Sequence, residues 1–299
     1  MYKVKEIIDK KGGVNLILSN SDSTSIANIC LQEGGRISEF VFEDIKIITD
    51  VTHTAYEVNF ASAILFPFAN RVENGEFMFN NFSYKLASNE KGSKNAIHGL
   101  IFNKVFECEK TEVSESSASI KLCYKETEGK QGFPFKYNIQ LIYTLTREGL
   151  VLKIIAENTD EKPFPFTLGW HPYFVTENVQ LSKLNFTSKD KYKTNSNDIT
   201  IDSEPFEKSN PFKIDDEMID GAFSLVNGAI TLATPKYKVN VKSSLQENYL
   251  QIYKPYQANI IAIEPMTGVS DSLNNKIGLK TLEPKHKFEV EWLLNVLKN

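Results

Sequence analysis

Tyr137-Asn138-Ile139-Gln140-Leu141-Ile142-Tyr143-Thr144-Leu145, followed across Thr146-Arg147-Glu148-Gly149 by Leu150-Val151-Leu152-Lys153-Ile154-Ile155-Ala156, decides the fold. In both runs large apolar side chains recur at every second position. Successive side chains of an extended strand point to opposite faces, so this period puts one buried face on each run. Arg147-Glu148-Gly149 between them reads as a tight turn, and the whole as an antiparallel pair packed on one side.

The same alternation recurs outward from this pair, in Ser119–Lys125, Tyr237–Lys242 and Phe288–Trp292. Turn residues bound the runs at Gly129, Asn158-Thr159-Asp160 and Asn227-Gly228, with an early hairpin signal at Gly34-Gly35. After Asp160-Glu161-Lys162-Pro163 the chain is expected to return as one strand over Phe164–Phe174. Runs of helical period are scarce, with one short candidate at Asp215–Ile219. No repeat, glycine-rich linker or low-complexity block divides the chain. Residues 1–299 are therefore expected to form one all-β domain, a large antiparallel β-sandwich with long functional loops.

The bulk properties bound the function. A chain of 299 residues can bury most of its extended surface without staples. Net charge is −4, with no basic cluster, which argues against nucleic acid and anionic membrane as partners. Three cysteines (Cys30, Cys108, Cys123) show no metal-ligand spacing, and the odd count fits a reducing compartment. The first residues lack an apolar signal core, and no apolar run approaches spanning length. The expectation is a cytoplasmic protein, monomeric or homodimeric, that uses no metal.

Four short stretches carry candidate chemistry. The chain has four histidines, at 53, 98, 171 and 286, and His171 lies in Leu168-Gly169-Trp170-His171-Pro172-Tyr173-Phe174. Aromatic faces stack on sugar rings, and imidazole exchanges protons near neutral pH. A core histidine bonded to a carbonyl explains the run equally well, and Trp170 could face either a sugar or the core. Arg71, one of three arginines, lies in Phe68-Ala69-Asn70-Arg71-Val72-Glu73-Asn74-Gly75-Glu76-Phe77. Its forked donors suit vicinal hydroxyls or a carboxylate, and an ion pair to Glu73 is the plain alternative. His98 lies in Asn95-Ala96-Ile97-His98-Gly99, where glycine permits close backbone approach, although a capped turn would look the same. Glu264 ends the apolar run Ile260-Ile261-Ala262-Ile263, where burial would raise its pKa and make it a better base.

No nucleophile elbow, P-loop, dinucleotide fingerprint or His-Glu-x-x-His motif competes. Spacing alone leaves a paired-carboxylate glycosidase open.

The order of the four stretches resembles the aldose 1-epimerase family, the galactose mutarotases. Phe-x-Asn-Arg-x-x-x-Gly-x-Phe, Asn-Ala-Ile-His-Gly, Gly-Trp-His-Pro-Tyr-Phe and Glu-Pro-Met-Thr follow one another over nearly the whole chain. Ile219-Asp220-Gly221-Ala222-Phe223 is similar to the family's sugar-binding aspartate segment. The resemblance implies a mutarotase-type supersandwich that interconverts the α and β anomers of a free aldose through the open-chain aldehyde, without a cofactor. It places the base on Glu264 and the acid on His171. Sugar contacts fall on Arg71, His98 and Asp220, with Asn70 and Tyr173 beside them, and the partner is a monosaccharide such as glucose or galactose. Pro172 and Pro265-Met266-Thr267 depart from the best-known galactose mutarotases and look like a broader bacterial branch. A sugar sensor that keeps the cleft without catalysis and a hexose-phosphate epimerase of the same fold are the alternatives. The second would call for phosphate-binding arginines, of which this chain is poor.

Overall fold

The structure is a computed structural model and describes residues 1–9, 12–206, 211–214, 217–256 and 258–299. The opening pair forms as expected. Tyr137–Thr146 and Gly149–Asn158 run antiparallel in full register, Thr146 opposite Gly149, and every second side chain is buried along each strand. A Cβ at Gly149 would lie 2.0 Å from the carbonyl oxygen of Leu294, so the turn needs glycine.

This pair belongs to a sheet of nine strands among the described residues, in which Gly149–Asn158 also pairs with the last strand, Lys287–Lys298. A larger sheet of thirteen strands begins with the meander Lys3–Ile8, Val14–Ser19, Ile26–Cys30, Arg36–Phe42 and Ile45–Ile48. It continues through Tyr173–Val175, Ile260–Met266, Asn248–Lys254 and Ile219–Leu225. All pairings between these strands are antiparallel, and one continuous cluster of buried side chains draws on both sheets.

Trp170 answers its own question here. It is fully buried and stacks on Trp292, ring centroids 6.2 Å apart and planes 14° from parallel. One ring comes from each large sheet, so Trp170 belongs to the core and not to a sugar.

Two expectations change. The single strand expected over Phe164–Phe174 is broken into Phe164–Phe166, Gly169–Trp170 and Tyr173–Val175. The first piece pairs with Lys280–Leu282 in a small separate sheet, and the other two pair with Ile260–Met266. Different sheets claim the first piece and the other two, and His171 lies in the gap between the second and third. The helix expected at 215–219 falls on residues 215 and 216, which lie outside the described residues. Ile219 itself opens a strand. The α-helices among the described residues, Tyr56–Asn59 and Ser272–Asn275, are one turn each.

Candidate active site

Glu264 lies within the strand Ile260–Met266 rather than at its end, because pairing with Tyr249 and Leu250 carries the strand through Pro265 to Met266. Three buried apolar residues precede it, and the carboxyl is itself 1% exposed. His171 is held beside it by its own backbone, which receives the Ser62 N–H at 2.8 Å and donates to the Ala63 carbonyl at 3.1 Å. The imidazole Nε2 stands 3.3 Å from Glu264 Oε1. Neither His171 Nδ1 nor Glu264 Oε2 has a hydrogen-bond partner among the described residues.

A cleft of about 850 Å³ opens over this pair and is lined by all seven residues singled out in the sequence: Glu264, His171, Arg71, His98, Asp220, Asn70 and Tyr173. Arg71 and His98 are set by the short pairing of Arg71–Val72 with Ala96–Ile97. His98 and Asn70 both take left-handed backbone, φ 60° and 59°, and the His98 N–H donates to the Asn70 carbonyl. Gly99 follows because a Cβ there would meet the Phe66 carbonyl oxygen at 2.2 Å. The His98 ring meets the His171 ring edge-on, centroids 5.2 Å apart, with Phe60 braced against its other side at 4.7 Å. Tyr173 lies against His171 at 5.1 Å.

Arg71 does not pair with Glu73. Its Nε donates to Glu90 Oε1 at 2.7 Å, Nη2 pairs with Asp198 Oδ2 at 3.1 Å, and Nη1 donates to Asn70 Oδ1 at 3.4 Å. Asp220 accepts a short hydrogen bond from Gln251 Nε2, and Gln251 Oε1 accepts from Asn70 Nδ2 at 3.4 Å. Gln251 sits opposite Glu264 in register. Sequence reasoning missed it, although one amide between Leu250 and Ile252 in a buried strand is a visible signal. It also missed Glu90 and Asp198, which no local pattern marks.

Burial decides the protonation of this site. It pushes the Glu264 carboxyl well above the ordinary carboxylate range; the nearby Asp220 charge adds to the rise, and Arg71 opposes it. It pushes the His171 imidazole down to about 4, and the His98 imidazole well below its ordinary value. Asp220 is pushed up to about 6, by burial first and by Asp198 second, against Arg71 and Gln251. Both shifts oppose a charged Glu264–His171 pair in the free cleft and favour the carboxyl over the imidazole as the proton's holder. Among the described residues, no group of three or more His, Cys, Asp or Glu side chains is clustered to hold a metal. None of the helices among them is long and apolar enough to cross a membrane.

Known proteins share this arrangement of sheets, and some share part of the sequence. The solved structure of a galactose mutarotase-like protein from Clostridium acetobutylicum superposes with a TM-score of 0.90 at 20% identity, covering 100% of this chain and 99% of that one. Galactose 1-epimerase from Lactobacillus acidophilus superposes with a TM-score of 0.77 at 18% identity, covering all of both chains. In sequence, the uncharacterized protein YihR of Escherichia coli is 26% identical over 272 residues, 84% of this chain and 83% of its own. The family pattern described as Aldose 1-epimerase matches residues 18–294. With that match running through both large sheets and the cleft between them and solvent, the chain belongs to the aldose 1-epimerase family.

Proposed function

We propose that this protein is a mutarotase, interconverting the anomers of a free aldose with Glu264 as general base and His171 as general acid. The observation that carries the reading is their buried contact at 3.3 Å beneath the cleft, with one polar atom of each left without a hydrogen-bond partner among the described residues. Ring opening needs the C1 hydroxyl proton removed and the ring oxygen protonated. Rotation about C1–C2 then exposes the other face of the aldehyde, and the two groups reverse roles for closure.

In the free cleft burial favours the proton on Glu264, the wrong partner for this step, and the sugar corrects it. The C1 hydroxyl donates to the Glu264 carboxyl, which favours its anion, and the ring oxygen accepts from the imidazole, which favours the imidazolium. Both bonds stabilise the charge-separated form of the pair, so the proton passes from Glu264 to His171 as the sugar seats. Exclusion of water makes those bonds stronger than they would be in solution. Arg71 and His98 hold oxygens on the reacting side, and Asp220 accepts from a ring hydroxyl, with Asn70 and Tyr173 completing the wall.

Polarimetry of freshly dissolved α-D-glucose and α-D-galactose tests the reading. Saturable acceleration over the spontaneous rate is expected. Saturable binding of either sugar with no acceleration would replace the enzyme by a sugar sensor.

A further inference from the structure

We infer that Glu90 and Asp198 are specificity-determining residues that restrict the cleft to aldoses without a negative charge; the inference rests on the mutarotase reading. Arg71 is the cleft's arginine, the group an anionic sugar would seek. Three of its five N–H groups are already engaged, by oxygens of Glu90, Asp198 and Asn70, and two carboxylates oppose its charge. Arg36 is buried on its own carboxylates, Glu33 and Asp50. Arg147, in the turn after Tyr137–Thr146, does not line the cleft.

Glu90 is fixed in this duty. Its second oxygen accepts from Asn95 Nδ2 at 3.2 Å, and Asn95 Oδ1 accepts the Asn74 N–H at 2.9 Å. The side chains of Arg71 and Glu90 are 18% and 19% exposed, so the pair is shielded on both sides, whereas that of Asp198 is 51% exposed. Two carboxylates on one guanidinium leave the cluster with a net negative charge. Asp220 and Glu57 line the same cleft, against Lys91 as its lysine. A phosphate or carboxylate on the sugar that approached Arg71 would meet the repulsion of Glu90 and Asp198, whose oxygens already face its charge. A neutral hydroxyl can instead donate to these carboxylates. Discrimination here works by repulsion, which rejects a wrong ligand without adding contacts to the right one.

Anomer exchange measured by NMR at equilibrium tests this with D-glucose, D-glucose 6-phosphate and D-galacturonate, none of which needs a pure anomer. The wild type is expected to exchange glucose with a kcat/KM at least roughly tenfold above that for either anion, the scale of a like charge placed against a shielded one. Glu90→Gln keeps the side chain's size and removes its charge, and should raise the anion-to-neutral ratio of kcat/KM about tenfold. Asp198→Asn should raise it less, because its carboxylate is half exposed. Equal use of glucose and glucose 6-phosphate by the wild type, or a ratio unmoved by Glu90→Gln in a variant with wild-type thermal stability, would overturn the inference. Exchange of no sugar would instead remove the mutarotase reading. Titration by line broadening then judges the gate alone: weaker binding of glucose 6-phosphate than of glucose supports it, and tighter binding overturns it.

Discussion

Two glutamates of this protein expose almost no surface, lie at different depths and answer burial in opposite ways. Glu264 is 1% exposed and Glu126 is 4% exposed. Burial pushes both carboxyls up, and at Glu126 it is overcome. The Tyr124 hydroxyl donates to its Oε2 at 2.8 Å, the Glu128 N–H donates to its Oε1 at 3.3 Å, and Lys130 Nζ stands 3.3 Å away. These bonds favour the anion and hold Glu126 below its ordinary pKa. Glu264 has only the His171 imidazole, itself driven neutral, and one of its oxygens has no partner among the described residues. Glu264 lies deeper than Glu126, and the protein also withholds from it the replacement donors that Glu126 receives. The sugar is left to supply them.

The largest expected effect separates the two sites directly. Glu264→Gln should lower mutarotation by about 10²–10⁴-fold, the usual worth of a positioned base, while sugar still binds, as polarimetry and a binding titration would show. It should not weaken the fold. A carboxyl whose folded pKa is raised contributes stability that is complete below the ordinary value and is lost as pH rises through the raised one. The amide has no proton to lose, so at mildly alkaline pH Glu264→Gln should unfold in urea no earlier than wild type. Wild-type rates in this variant would remove Glu264 from the chemistry.

A smaller effect comes from Asp220, which stands between the two extremes with one amide donor, Gln251, and a pKa of about 6. As pH falls through about 6 the free protein protonates Asp220, and the sugar loses a charged acceptor. KM should then rise up to about tenfold from pH 7 to pH 5 if the anion is required. The kcat, set by the Glu264–His171 pair, should show no limb there. Asp220→Asn should raise KM throughout and flatten its pH dependence. A kcat limb near 6 that this variant abolishes would move Asp220 from binding into the chemistry.

The parts of the molecule legible in the sequence are those whose pattern is local. Tyr137–Thr146 announces its strand and its buried face because polar and apolar residues alternate. Phe164–Phe174 is apolar on nearly every side chain, so it carries no register, and its breaks come from partners as distant as Lys280–Leu282. The four motifs name residues that meet in one cleft, since each is a short backbone device, such as the left-handed His98 before Gly99. What those residues touch was not legible. Trp170 neighbours His171 in sequence, yet its ring is claimed by Trp292 from the other sheet. Arg71 has Glu73 two residues away, yet its partners Glu90 and Asp198 come from separate loops. Pairings of that range are set by the finished fold, and a single chain shows no trace of them.

The smallest expected effect belongs to Glu126, and it is the sharper half of the contrast because it concerns stability alone. Glu126→Gln should leave mutarotation unchanged, as the residue is outside the cleft lining. Its charge-assisted bonds to Tyr124 and the Glu128 N–H should be worth about 1–2 kcal/mol, with little from the exposed Lys130. A depressed folded pKa means that this stability is present above the ordinary carboxylate pKa and lost as pH falls through the depressed one. Urea unfolding at neutral pH should therefore separate wild type from Glu126→Gln, and the gap should close in acid, below the ordinary carboxylate pKa. A gap that persists in acid would mean that shape rather than charge holds Glu126. The two glutamates would then differ in packing, and the withheld donors at Glu264 would lose their control.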